Sequence, residues 1–371
     1  MSSRVCFVVG ARPNFMKAAP VLRALEARAP ETEPLLVHTG QHYDPEMSDV
    51  FLEQLDLPSP DVFLGVGSGT HAEQTARALV GVEAVLAEQD AALVVVPGDV
   101  NSTLAGALAA VKLGIRVAHL EAGLRSFDPA MPEEHNRKLT DHLSSLLLAH
   151  SQSAVDNLAA EGIDGGVHLV GNTMIDSLLA HVDTARATRP WERFGVAPGA
   201  YGLVTLHRPA LVDDPELLRA TVAALVELAA DTPLVFPAHP RTVLRIDAAG
   251  LRDTVQRSSV VLAEPLSYLD FLGLEAEARF VLTDSGGVQE ETSTLGVPCF
   301  TLRDGTERPI TVELGTNTLL GLRPERIAEI PALLDEPRTT QEIPLWDGHA
   351  GERAADVIAR FLAEAPLGVA T

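Results

Sequence analysis

The chain has 371 residues, 46% of them hydrophobic and 21% charged, with a formal net charge of −23 at pH 7. That length is more than one core usually holds, so two domains of a soluble globular protein are expected. The acidic excess repels nucleic acid and anionic membranes, and 4% aromatics leave little for stacking bases, so an anionic small ligand must be met by local Arg, Lys and N–H groups.

In chain order, Val5–Gly10, Leu35–Thr39, Ala92–Pro97 and Val117–Leu120 read as strands. Cys6 in the first of them, like Cys299 later, sits in an apolar run and is expected to be a reduced core residue. These runs are continuous rather than alternating, as in strands buried on both faces. Helices are expected from near Phe15, Met47, His71, Asn101 and Pro132. A second series has strands at Leu203–Leu206, Pro233–Pro237, Val260–Leu262, Phe280–Leu282 and Cys299–Leu302, and helices near Pro215, Tyr268, Gln289 and Pro324. The alternation predicts βαβ units and an α/β fold of two Rossmann-like domains, 1–172 and 173–350, with a final helix in 351–371 packing back on the first. Two such sheets are expected to place a ligand cleft at the carboxyl ends of both strand sets. The start, Met-Ser-Ser-Arg-Val, lacks a signal-peptide layout and no apolar run is long enough to span a bilayer, so a cytoplasmic protein without a membrane partner is expected.

Polar residues gather where strands should end. Arg12 is expected in the loop after the first strand and Lys17 on the following helix. Asp99 follows the strand ending at Pro97. Glu121 closes the next strand, in a run apolar enough that its carboxylate needs a partner or a raised pKa. Glu133 and Arg137, four apart, share a helix face. His207 and Arg208 end the first strand of the second series, and His239, between two prolines, reads as a turn-fixing residue. The stretch Thr283-Asp-Ser-Gly-Gly-Val-Gln-Glu-Glu291 is a strand, a small-residue turn and a helix start. That arrangement aims the N–H groups of Ser285, Gly286 and Gly287 at a phosphate, with Glu291 one turn on to accept from a ribose diol.

Other chemistries are disfavoured. Gly65-Val-Gly-Ser-Gly-Thr70 lacks the third glycine of a dinucleotide loop, so no nicotinamide cofactor is expected. There is no Gly-x-Ser-x-Gly elbow and no metal-binding Cys or His spacing. Three carboxylates, Asp99, Glu121 and Glu133, stand among cationic groups, which suits proton transfer.

Gly10-Ala-Arg-Pro-Asn-Phe-Met-Lys17, Thr39-Gly-Gln-His42, Gly98-Asp99, His119-Leu-Glu-Ala-Gly-Leu-Arg125, Pro132-Glu-Glu-His-Asn-Arg137, Gly171-Asn-Thr173, His207-Arg208, Asp284–Glu291 and Arg303-Asp-Gly-Thr-Glu-Arg308-Pro309 occur in this order. Together they resemble the non-hydrolysing UDP-N-acetylglucosamine 2-epimerases, over residues 4 to 365. The resemblance implies a glycosyltransferase-B-like architecture, usually a homodimer. It implies interconversion of UDP-N-acetylglucosamine and UDP-N-acetylmannosamine through UDP and 2-acetamidoglucal, with no cofactor. At the matching positions, Asp99, Glu121 and Glu133 would handle protons. His207, Arg12 and Arg308 would contact the diphosphate with Ser285, Gly286 and Gly287, with Arg208 beside them. Glu291 would hold the ribose, and Lys17 and Arg137 would position the sugar or tune the carboxylates. Which carboxylate serves which face of the sugar stays open.

The chain departs from that pattern in three places, the first being His42-Tyr-Asp-Pro-Glu-Met47 after Gln41, where the allosterically regulated bacterial members read differently. Pro209-Ala-Leu-Val-Asp213 stands where many members carry Arg-Glu-Asn, and Leu64–Thr75 has no arginine to match that of the allosterically regulated bacterial members. The second substrate class left open is therefore a modified sugar such as a 2,3-diacetamido uronic acid. A glycosyltransferase of the same architecture and a non-catalytic nucleotide-sugar sensor are the competing readings.

Overall fold

The computed structural model describes residues 3–40, 58–337 and 341–364. The helix expected near Met47 lies outside them. The chain divides into two units, one holding residues up to Ser177 together with those from Pro344 onward, the other Leu178–Ile343. The division falls inside the helix Thr173–Ala187.

In the first unit, strands β1 (Ser3–Val9), β2 (Thr32–His38), β3 (Val62–Phe63), β4 (Leu93–Pro97), β5 (Arg116–Ala122), β6 (Leu146–Ala149) and β7 (Val167–Leu169) form a parallel sheet of order β3-β2-β1-β4-β5-β6-β7. All five residues of β4 are buried, as are Val5–Val9 of β1, because helices cover both faces. Helices α1 (Arg12–Arg28), α2 (His71–Gln89), α3 (Asn101–Lys112) and α4 (Pro132–Leu143) follow successive strands. In the second unit, β8 (Gly202–Thr205), β9 (Leu234–Pro237), β10 (Val260–Ala263), β11 (Phe280–Thr283), β12 (Cys299–Thr301) and β13 (Asn317–Leu319) form a parallel sheet of order β10-β9-β8-β11-β12-β13. Its helices include α5 (Pro215–Leu228), α6 (Pro240–Ala248), α7 (Tyr268–Ala276) and α8 (Gly286–Leu295). Chain direction across each sheet reverses between two neighbouring strands, β1 and β4 in one and β8 and β11 in the other. Loops leave those strand ends in opposite directions, which is where an open α/β sheet leaves room for a ligand.

Arg12, expected in a loop, is the first residue of α1. Pro13 suits the first turn, and the Asn14 Oδ1 accepts from the N–H groups of Gly10 and Ala11, both at 3.1 Å. Strands β3, β6, β7 and β13 were not anticipated. They are two to four residues long, and β6 runs on from α4 with only Ser144 and Ser145 between, so its apolar residues merge with the helical pattern.

The final helix, Ala350–Glu364, packs on α1. A Cβ at Gly351 would stand 2.7 Å from the Pro20 carbonyl carbon, so glycine is what lets the two backbones approach. Asp176 fixes the start of this helix by accepting from Ala350 N–H at 3.1 Å and Gly351 N–H at 2.6 Å. Further along, Arg28 pairs with Asp356 at 2.8 Å and Glu352 at 3.1 Å. Gly351→Val therefore overpacks this contact and should cost about 1–3 kcal/mol. A clear fall in melting temperature is the expected result, while an unchanged melting curve would contradict the close approach.

Candidate active site

The first unit's site lies at the carboxyl ends of β1, β4 and β5. Glu121 sits next to last in β5 with φ of +76°, and the pairing with β6 shifts register between Leu120 and Ala122. The irregularity re-aims one side chain at a strand end. Its carboxylate, 7% exposed, is met by the ammonium of Lys17 from α1. Both lie against Gly98, where a Cβ would be 3.1 Å from Lys17 Nζ, 3.3 Å from Asn14 Nδ2 and 3.4 Å from Glu121 Oε2. With φ of +68° as well, position 98 has two reasons to be glycine.

The next residue, Asp99, pairs with Arg137, whose other arm reaches Glu134 at 2.6 Å. Asn136 donates to the Asp99 carbonyl at 2.9 Å. Beneath this loop, the His119 ring lies 2.7 Å from the Gly98 carbonyl oxygen and 2.6 Å from Asp141, and Arg125 spans from Asp141 to Glu161, each at 2.7 Å. Burial pushes the Asp141 carboxyl up, but His119 and Arg125 overcome this and hold it below the ordinary range. Glu134 is held low in the same way. Burial works against ionisation, while the Ser126 N–H at 2.8 Å and Arg137 outweigh it.

Arg137 shares a helix face with Glu133, its i−4 neighbour, and pairs with Glu134 and Asp99. Glu133 is half-buried with its carboxylate unengaged among the described residues. Val100 holds the N-cap position of α3 without a side-chain bond, although Asn101 and Ser102 follow it directly. Asn101 instead donates to Gln74 at 3.0 Å.

The second unit's site lies at the ends of β8 and β11. Asp284, fully buried, accepts from the N–H groups of His207 and Arg208, each at 2.8 Å, and lies 2.9 Å from the His207 ring. Burial opposes its charge, and His207 with those N–H groups prevails, so the carboxyl sits below its ordinary range. The Arg208 Nε donates to the Asp284 carbonyl at 2.9 Å. Thus Asp284, not an N-cap, ties the His207-Arg208 strand end to the glycine turn.

Helix α8 starts at Gly286. The Ser285 N–H already donates to Thr283 Oγ1 at 2.9 Å, which leaves Gly286 and Gly287 as the turn's outward donors. A Cβ at Gly286 would be 2.5 Å from Arg308 Nη1, so this glycine admits the guanidinium, while a Cβ at Gly287 would meet nothing within 4 Å. Arg308 is held by Glu290 at 2.6 Å. Glu307 lies 2.7 Å from Arg303, 3.6 Å from Arg308 and 3.9 Å from Arg208. Burial pushes Glu307 up, but the three guanidiniums hold it far below the carboxylate range. Arg208, in turn, is depressed by burial and by the charge of Arg303. An anion beside three crowded cations relieves that repulsion. Glu291 stands one turn into α8, 5% exposed, and accepts from the Tyr268 hydroxyl at 3.2 Å.

Within the first unit, the structure brings together Lys17 with Glu121 and Asp99 with Arg137, while Arg12 is exposed at the helix start. Within the second, it gathers His207, Arg208, Ser285, Gly286, Gly287 and Arg308 around Asp284 and Glu307, with Glu291 on the same helix as the glycines. His239 accepts from Arg241 N–H at 3.2 Å and starts α6, the turn-fixing place expected for it. Glu307, Glu290, Asp141 and Glu134 were not singled out from sequence. A carboxylate directly beside an arginine, as in Glu307-Arg308, is a signal that could have marked one of them. Among the described residues, no group of three or more His, Cys, Asp or Glu side chains is placed to hold a metal ion. No described helix is long and apolar enough to cross a membrane.

A family model described as UDP-N-acetylglucosamine 2-epimerase matches residues 23–359. The UDP-N-acetylglucosamine 2-epimerase of Methanocaldococcus jannaschii is 42% identical over 362 residues, which is 96% of this chain and 98% of that one. Its crystal structure in complex with UDP-GlcNAc and UDP gives a TM-score of 0.88 at 43% identity, covering 96% of this chain and 99% of that one. The UDP-2,3-diacetamido-2,3-dideoxy-D-glucuronate 2-epimerase of Pseudomonas aeruginosa is also 42% identical, over 368 residues, 97% of this chain and 99% of the other. A UDP-glucosyltransferase from Polygonum tinctorium shares the fold alone, with a TM-score of 0.59 at 14% identity over 98% of this chain and all of that one. The chain belongs to the UDP-N-acetylglucosamine 2-epimerase family.

Proposed function

We propose that this protein is a cytoplasmic, homodimeric isomerase that interconverts UDP-N-acetylglucosamine and UDP-N-acetylmannosamine. The observation that carries this reading is the chemistry of the two strand rims. One concentrates carboxylates beside cations, and the other crowds guanidiniums around a glycine turn.

A carboxylate of the first rim removes the proton from sugar C2 as the bond from C1 to the diphosphate oxygen breaks. The C1–C2 double bond of 2-acetamidoglucal forms, and UDP carries away the electron pair. UDP then returns to C1 while a proton reaches C2 from the opposite face. Electrons balance without an external oxidant or reductant, so the reaction calls for no redox cofactor. Asp99, Glu121 and Glu133 supply the proton-handling groups. Lys17 neutralises Glu121 and Arg137 neutralises Asp99, and the sugar-facing work of Glu133 suits a side chain with no partner among the described residues. Arg308, His207, Arg12 and the Gly286 and Gly287 N–H groups stabilise the charge that develops on the departing diphosphate. Glu291 holds the ribose. A glycosyltransferase would need the second rim but not three carboxylates on the first.

The equal identity to the diacetamido-glucuronate enzyme supports a second substrate class. Parallel kinetics on the two UDP sugars separate the readings. A larger kcat/KM for UDP-N-acetylglucosamine is expected, and the reverse ranking would assign the enzyme to the uronic acid. In addition, Asp99→Asn and Glu133→Gln should each lower kcat by about 10²–10⁴-fold. Calorimetry should find UDP affinity within about threefold of wild type for both, because neither residue is placed on the nucleotide. Full activity in both variants would remove the proposed proton chemistry.

A further inference from the structure

Glu275, on α7, is 0% exposed, and neither of its carboxyl oxygens meets a hydrogen-bond donor among the described residues. A carboxylate so placed has nothing to replace its water, so it keeps its proton. Burial first, and then the charge of Glu291, push its pKa well above the ordinary range. A protonated carboxyl has an O–H to give, and Glu275, seven positions after Tyr268, stands on the face of α7 from which Tyr268 reaches Glu291, the group whose charge acts on it. Glu291 also accepts from the Tyr268 hydroxyl at 3.2 Å, again from α7. Besides Glu275 and Tyr268, the charged group facing it is Glu290 on its own helix, which Arg308 holds at 2.6 Å.

We propose that Glu275 is a positioning residue for nucleotide recognition, a buried neutral acid that, together with Tyr268, donates to Glu291 and orients its carboxylate to accept from the ribose hydroxyls. This rests on the reading of Glu291 as the ribose holder and deepens it. No role in proton transfer to the sugar is involved.

The arrangement has a pH signature. Burial raises Glu291 to about 7, against the bonds from Glu275 and Tyr268 that lower it. Ribose hydroxyls donate to the ionised form, so nucleotide affinity is full above that pH and falls as pH drops through it. Without the Glu275 donor, the midpoint moves up and affinity at neutral pH falls.

Calorimetric titration with UDP and with its 2′,3′-dideoxy analogue, from pH 6 to pH 9, tests this. Wild-type affinity for UDP should fall about tenfold for each unit below the midpoint, and the dideoxy nucleotide should show no such dependence. Glu275→Met removes the donor at similar volume and should weaken UDP about tenfold at pH 7, with the loss closing by pH 9. Glu275→Gln keeps an N–H donor and should follow the wild-type profile. If Glu275→Met does not fold, Tyr268→Phe removes the other donor and should raise the midpoint in the same direction. The proposal is overturned if Glu275→Met, or Tyr268→Phe in its place, tracks wild type at every pH. It is equally overturned if Glu275→Gln lowers the midpoint by about a unit, which would mean that Glu275 is charged. Glu291→Gln separates the two levels. If it binds UDP as wild type does, the ribose reading itself falls; if it weakens binding while Glu275→Met does not, only the present proposal falls.

Discussion

Taking a charged side chain out of water costs several kcal/mol unless an opposite charge and hydrogen bonds replace the solvent. Both units work under that constraint at the ends of their parallel strands. Strands buried on both faces leave nowhere for polar groups except the rim, so each rim collects them and pairs them. Lys17 meets Glu121 over Gly98, Arg137 joins Asp99 to Glu134, and Glu307 draws Arg303, Arg208 and Arg308 toward one carboxylate. Removing one member of such a pair leaves the other buried and unpaired, so these residues hold the fold and the site at once.

The pairing also divides the labour. The first rim's carboxylates face cations on neighbouring helices, and Glu133 alone of the three has no internal partner among the described residues. In the second rim Arg208 is depressed, by burial first and then by the charge of Arg303. In the proposed scheme it is the diphosphate whose departure and return this rim stabilises. Beneath both rims lies a layer that touches no substrate in the proposed scheme. His119 with Asp141 and Arg125 supports the Gly98 carbonyl, and Asp284 fastens His207 and Arg208 to the glycine turn.

Much of this was legible in the residues themselves. Continuous apolar runs such as Leu93–Pro97 and Phe280–Thr283 announced buried parallel strands, and Ser285-Gly-Gly287 announced a tight turn into a helix, because both signals are local. Short strands escaped: Leu146–Ala149 follows a helix too closely for its period to be told apart, and Val62–Phe63 is only two residues long. Ion pairing is not legible where it depends on distant chain. Spacing puts Glu133 and Arg137 on one helix face, yet Arg137 turns to Asp99, 38 positions away. Glu275 and Asp141 gave no local sign at all, since a carboxyl inside a helix looks the same in sequence whether it faces water or a buried neighbour.

In the proposed reaction, carboxylates of the first rim exchange the proton on sugar C2. Incubating the enzyme with UDP-N-acetylglucosamine in deuterium oxide, and following the C2 position by NMR, tests it most directly. Deuterium at C2 in the UDP-N-acetylmannosamine formed is the expected result. Epimerised product that keeps its original C2 proton would contradict it.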